Sequence, residues 1–113
     1  MSARGAFPER GDIVWLNFTP QAGHEQAGHR PALVLSTANY NRATGLMPCC
    51  PMTTRVKGYP FEVPIVDADG APGVVLSDQV RSVDWRARRA RRKGRAAEDT
   101  VADVLAKALT PLA

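Results

Sequence analysis

Gly11-Asp12-Ile13-Val14-Trp15-Leu16-Asn17-Phe18, residues 11–18, is the stretch that decides the fold. Apolar side chains occupy both parities of 13–18, and successive side chains of a strand point to opposite faces. The pattern therefore predicts a strand covered on most of both faces. Outward from it, Thr19–Gly28 is a polar, glycine-containing connection, and Pro31 starts a second strand over Ala32–Ser36. Thr37–Gly45 is polar and reads as a short helical turn or loop that Gly45 stops. A third strand is expected over Leu46–Met52, with Pro48 and Pro51 confining it to an edge or a bulge. A fourth follows over Tyr59–Val66, and the turn cluster Asp67–Gly73 separates it from short strands at Val74–Leu76 and Val80–Val83.

The period then changes. Ala97, Val101, Val104, Leu105, Ala108 and Leu109 form one apolar stripe at helical spacing, with Glu98 and Asp99 in the first turn and Pro111 as the stop. Short strands followed by one amphipathic helix predict a mainly β fold: a small, strongly bent antiparallel sheet or barrel carrying a C-terminal helix. With 113 residues, 44% of them hydrophobic, and no internal repeat or linker, residues 1–113 are expected to form a single domain.

Composition narrows the function. No apolar run approaches the roughly 20 residues that span a bilayer, and Met1-Ser2-Ala3-Arg4-Gly5 lacks the apolar core of a signal peptide. A cytoplasmic protein without membrane contact is expected. Cys49 and Cys50 are neighbours whose side chains diverge on a strand, so they read as small hydrophobes rather than a bridge or a metal pair. The net charge is +4, and seven of the 15 basic residues lie between Arg86 and Arg95 with no acid among them. That density suits a phosphate backbone or an acidic protein partner, or else a solvated like-charged loop.

Two polar loops carry the chemistry. Glu25-Gln26-Ala27-Gly28-His29-Arg30-Pro31 sets a carboxylate, an amide, an imidazole and a guanidinium at the lip of a strand. Thr53-Thr54-Arg55-Val56-Lys57-Gly58-Tyr59 follows the third strand. Together with Gly11–Trp15, Pro51–Thr54, Lys57–Val63 and Ser77–Arg88, these blocks lie in one collinear order over roughly residues 10 to 110. The chain thereby resembles the MazF/PemK family of toxin endoribonucleases.

The resemblance implies an SH3-like, CcdB-like β-barrel and a homodimer whose interface forms an RNA groove. It further implies metal-independent cleavage of single-stranded RNA at short sequence motifs, no cofactor, and neutralisation by a cognate antitoxin. It places the essential arginine at Arg30 and the catalytic threonine at Thr53. Metal-free RNA cleavage uses the substrate's own 2′-hydroxyl as nucleophile, and needs a proton acceptor, a donor to the leaving 5′ oxygen, and positive charge at the phosphorane. Arg30 suits the charge role and Thr53 a hydrogen-bond donor, and Glu25 is the candidate base, with a backbone-assisted water as the other option. Gln26, His29, Lys57, Gln79, Trp85, Asn17 and Arg86 are the RNA-binding candidates: amides to read base edges, lysine to attract phosphate, indole to stack on bases. His29 alternatively orients its loop or meets a partner subunit, and Trp85 and Trp15 alternatively pack in the core. Asn17 stands where relatives often carry an aspartate. Two competing functions remain from the residues. One is a CcdB-type gyrase poison, which needs no catalytic pair, although Leu109–Ala113 offers no aromatic or charged hook. The other is a binding barrel without toxicity.

Overall fold

The computed structural model describes residues 7–18, 28–66 and 69–112. It comprises β1 (Asp12–Asn17), β2 (His29–Val34), α1 (Ala38–Thr44), β3 (Leu46–Thr53), β4 (Glu62–Val66) and β5 (Pro72–Leu76), then β6 (Arg81–Asp84), β7 (Arg91–Arg95) and α2 (Glu98–Leu109), with a 3-10 turn at Thr110–Leu112. All strand pairs are antiparallel, in the order β4-β5-β3-β2-β1-β7, with β6 also paired to β3. The expected bent antiparallel sheet with a C-terminal helix is what forms.

The two parities of 13–18 do separate two cores. Ile13 joins Leu33, Cys50, Met52, Val63, Val75, Val101 and Val104 on one side, beneath α2. Val14, Leu16 and Phe18 join Ala32, Val34, Met47, Cys49, Val83 and Trp85 on the other. Each large aliphatic side chain so buried contributes about 1.5–3 kcal/mol. Cys49 and Cys50 fall on opposite sides as free thiols, and burial pushes both up to about 12. α1 begins at Thr37, whose side chain accepts from the Tyr40 N–H at 3.3 Å, and ends at Gly45, whose φ of +73° suits glycine.

Three expectations need correction. β2 begins at His29 rather than after Pro31. Pro31 pairs with Trp15 of β1, beyond the point where pairing with β3 starts at Ala32, so that edge loses no ladder bond to it. β3 is interior, not an edge. It hands its second side from β6 (Leu46–Cys49) to β5 (Met52–Thr53) while β2 pairs with 49–51, and its two prolines sit at this bend. The basic tract, finally, contains a strand: residues 91–95 pair with β1. Asp12, wholly buried, ties this strand of four basic residues and a glycine to β1: its carboxylate accepts from Arg95 Nη1 at 2.8 Å, Arg92 Nε at 3.3 Å and the Glu9 N–H at 3.0 Å. The carboxylate is fully withdrawn from solvent while its two guanidinium partners stay 46% and 39% exposed.

Candidate functional site

Where β3 ends and β2 begins, the sheet opens into a cleft of about 740 Å³ lined by Arg30, Thr53, Arg55, Lys57, Tyr59, Glu62, Asp78 and Gln79, among others. Four of these are residues singled out from the sequence: Arg30, Thr53, Lys57 and Gln79. Arg30 enters from β2, where it pairs with Leu16 of β1. Thr53 enters from the last position of β3, where it pairs with Val74 of β5. Guanidinium and hydroxyl thus reach one cleft from separate strands.

Local bonds fix both walls. Thr53 is buried, and its Oγ1 accepts from the Arg55 N–H at 3.1 Å. The accepted bond leaves the hydroxyl proton to donate. β5 passes unusually close behind it. A Cβ on Gly73 would stand 2.7 Å from the Thr53 carbonyl oxygen, so only glycine allows this approach. Glu62, a buried carboxylate the sequence reading did not single out, accepts from the Lys57 N–H at 3.1 Å and the Gly58 N–H at 3.0 Å, pinning the loop that carries Lys57 and Tyr59. Its signal was its place in Lys57-Gly58-Tyr59-Pro60-Phe61-Glu62, a carboxylate just beyond a polar turn. The exposed Tyr59 hydroxyl is hydrogen-bonded to Asp78, and that bond with the carboxylate's charge holds the phenol above its ordinary range. Among the described residues no group of three or more His, Cys, Asp or Glu is placed to hold a metal.

The other candidates divide. His29 opens β2 beside the cleft and stacks on Trp15, ring centroids 6.5 Å apart and planes at 21°. Asn17 pairs with His29, and its carbonyl accepts from Arg88 Nη1 at 2.9 Å, so it anchors the base of the first loop and lines none of the described cavities. The neighbouring Phe18 carbonyl accepts from Arg81 Nη1 at 3.2 Å, while the Phe18 N–H donates to Gly28 at 2.9 Å. Trp85 is a correction. It is only 8% exposed, donates its Nε1–H to the Asn41 carbonyl at 2.8 Å and meets Phe7 edge-on at 5.8 Å. A ring so enclosed offers no face to a base. Arg86 lies over that ring, 4.9 Å from its centroid, away from the cleft. Glu25 and Gln26 lie outside the described residues.

A second aromatic, Trp15, whose sequence context fits core and site equally, is 38% exposed at the site's edge. It lines a smaller cavity of about 270 Å³ with His29, Arg30, Pro31, Met52, Thr53, Pro72, Gly73 and Lys93. Trp15 follows an apolar pair in a strand and its parity is that of the buried Ile13, so pattern alone hid its exposure.

Comparison with known proteins agrees with the geometry. Residues 9–110 match the family described as PemK-like, MazF-like toxin of type II toxin–antitoxin systems. The endoribonuclease toxin MazF of Escherichia coli K12 is 50% identical over 100 residues, covering 88% of this chain and 89% of that one. A crystal structure of MazF from Deinococcus radiodurans superposes with a TM-score of 0.88 at 57% identity, covering 94% of this chain and 96% of that one. MazF in a MazE–MazF crystal structure from the same organism superposes at 0.80 with 51% identity, covering 94% and 95%.

Proposed function

The chain belongs to the PemK-like, MazF-like toxins of type II toxin–antitoxin systems, and from that premise we propose that it cuts single-stranded RNA at short sequence motifs by metal-independent attack of the 2′-hydroxyl. It is an endoribonuclease toxin, as its relatives named MazF, ChpB and PemK are. The observation that carries the chemical reading is the meeting of Arg30 and Thr53 on the walls of one cleft.

In the proposed reaction a base removes the 2′-hydroxyl proton as the 2′ oxygen forms a bond to phosphorus. The bond from phosphorus to the 5′ oxygen breaks, and that oxygen takes a proton from water as it leaves. The products are a 2′,3′-cyclic phosphate and a 5′-hydroxyl. Arg30, whose planar fork matches two phosphate oxygens and which stays charged at any working pH, stabilises the phosphorane. Thr53 donates its free hydroxyl proton to a non-bridging oxygen as charge builds there. Glu25 takes the 2′ proton. Lys57 and Gln79, which line the same cleft, draw in the strand and read a base edge. DNA, lacking the nucleophile, escapes.

The proposal extends to a homodimer, a single domain over 1–113 working in the cytoplasm, and a cognate antitoxin as partner, the last supported by relatives crystallised as MazE–MazF. The test is incubation of the purified chain with single-stranded RNA in excess EDTA, followed by end analysis. Fragments ending in cyclic phosphate and beginning with 5′-hydroxyl, absent with Arg30→Ala, are expected. Fragments ending in 3′-hydroxyl, or cutting that requires added metal, would refute the mechanism. Intact RNA with arrested gyrase would replace it with the poison reading.

A further inference from the structure

Arg30 and Thr53 line both the large cleft and the smaller cavity, and among the described residues they alone are shared by the two. The pair proposed to act on the phosphate therefore forms a divide with a depression on each side. Beyond the smaller cavity lies a third basin of about 340 Å³, which shares Trp15 and Lys93 with it and adds Arg91 and Arg92. Large cleft, divide, small cavity and basic basin run in sequence across the sheet.

The small cavity has the chemistry of a base slot. An indole and an imidazole at 21° to one another, with Pro31, Pro72 and Met52, give flat and apolar walls, and Lys93 adds one cation. Strand pairing builds the arrangement. Trp15 faces Pro31, and His29 is its diagonal neighbour across β1–β2. On the other side of Trp15, the β1–β7 register shifts between Ile13 and Val14: Gly94 pairs with Ile13 and Arg92 with Val14, leaving Lys93 as the extra residue of a bulge. A bulge re-aims the side chain it carries. Here it turns Lys93 over the Trp15 ring, 5.1 Å from the centroid. The ammonium also meets Asp69 at 3.4 Å, an ion pair whose aspartate is 77% exposed and whose lysine is 24% exposed. For a base to stack on Trp15, Lys93 must turn from the ring toward a phosphate.

We propose that the cavity between Thr53 and Trp15 holds the nucleobase next to the cleaved phosphate, stacked on Trp15, and that the strand continues to Arg91 and Arg92. This rests on the endoribonuclease reading above. An acidic peptide would satisfy the cations but has no use for a flat slot entered directly from Arg30 and Thr53. RNA has both groups, a ring and a phosphate, at the spacing of consecutive nucleotides.

The test is a thermodynamic cycle between protein and substrate. A short RNA with one cleavage site is made with a single abasic nucleotide at successive positions around the cut. With wild-type chain, one abasic position adjoining the cut lowers kcat/KM about 5- to 160-fold, the range for loss of one base stack. With Trp15→Ala that penalty vanishes, intact and abasic RNA being cut equally slowly, and Trp15→Phe restores most of it. Arg91→Ser lowers the slope of log KM against log salt by about one. An abasic penalty undiminished in Trp15→Ala overturns the proposal. So does a Trp15→Ala variant that loses antitoxin affinity while its abasic profile matches wild type, for then the surface serves a protein. RNA left uncut by wild type sinks the endoribonuclease reading and this one with it. Cut RNA with penalties independent of Trp15 sinks this one alone.

Discussion

The surroundings of the two tryptophans teach how this molecule separates work from support. Each carries a cation over its ring, Lys93 at 5.1 Å from Trp15 and Arg86 at 4.9 Å from Trp85. There the likeness ends. Trp85 closes the second core from below, its indole N–H held by the Asn41 carbonyl and its edge by Phe7. Asn41 is itself wholly buried and donates to the Pro8 and Ser36 carbonyls, so that end of the molecule has its polar groups matched internally. Trp15, at the opposite parity of a strand that feeds both cores, looks outward onto two cavities and a row of cations. A cation lies over an enclosed indole at one end and over a half-exposed one at the other.

Breaking that contrast at the supporting end gives the largest expected effect. Trp85→Ala removes a buried aromatic with a satisfied N–H, and about 3–5 kcal/mol of stability should go in urea unfolding. At the working end, Arg30→Ala should lower kcat about 100- to 1,000-fold, as loss of one charge-stabilising donor does. Its unfolding free energy should stay within about 1 kcal/mol of wild type, because a partly exposed cation adds little. Gly73→Ala sharpens the comparison, since Gly73 lines the smaller cavity but brings no side chain to the reaction. Its methyl must displace the Thr53 carbonyl, and a shift near 1 Å at Thr53 should cost up to about 100-fold in kcat with smaller change in KM. Smallest is Trp15→Ala read as stability: less than about 1 kcal/mol, the inverse of Trp85→Ala. Equal losses of stability for the two tryptophans would erase the distinction.

Much of this was legible in order and not in detail. Alternation in 13–18 and the Cys49–Cys50 pair announced two cores, and the stripe from Ala97 to Leu109 announced α2. β7 was not legible, because five residues of which four are basic carry no apolar alternation. Its pairing depends on Asp12, more than 75 positions away in the chain, and on a bulge that no local pattern encodes. The interior position of β3 was hidden for a similar reason. Prolines exclude a strand from regular central pairing, but not from a bend where one partner replaces another. At the site, Arg30 and Thr53 stood out by residue type and spacing. Trp15 and Trp85 did not separate, since both sit in short strands or at their ends, and only register tells an outward indole from an inward one. Glu62 and Gly73 were passed over because their part is to hold backbone, which leaves a weak mark in sequence.

The wall that Arg30 and Thr53 form between two hollows has a consequence for inheritance. On the proposed reading, descendants of such a molecule can drift in what they select on either flank, exchanging Tyr59 or Gln79 on one side and Trp15 or Lys93 on the other, while the scission step passes down intact. Divergent target choice among sister toxins then needs no reinvention of the blade.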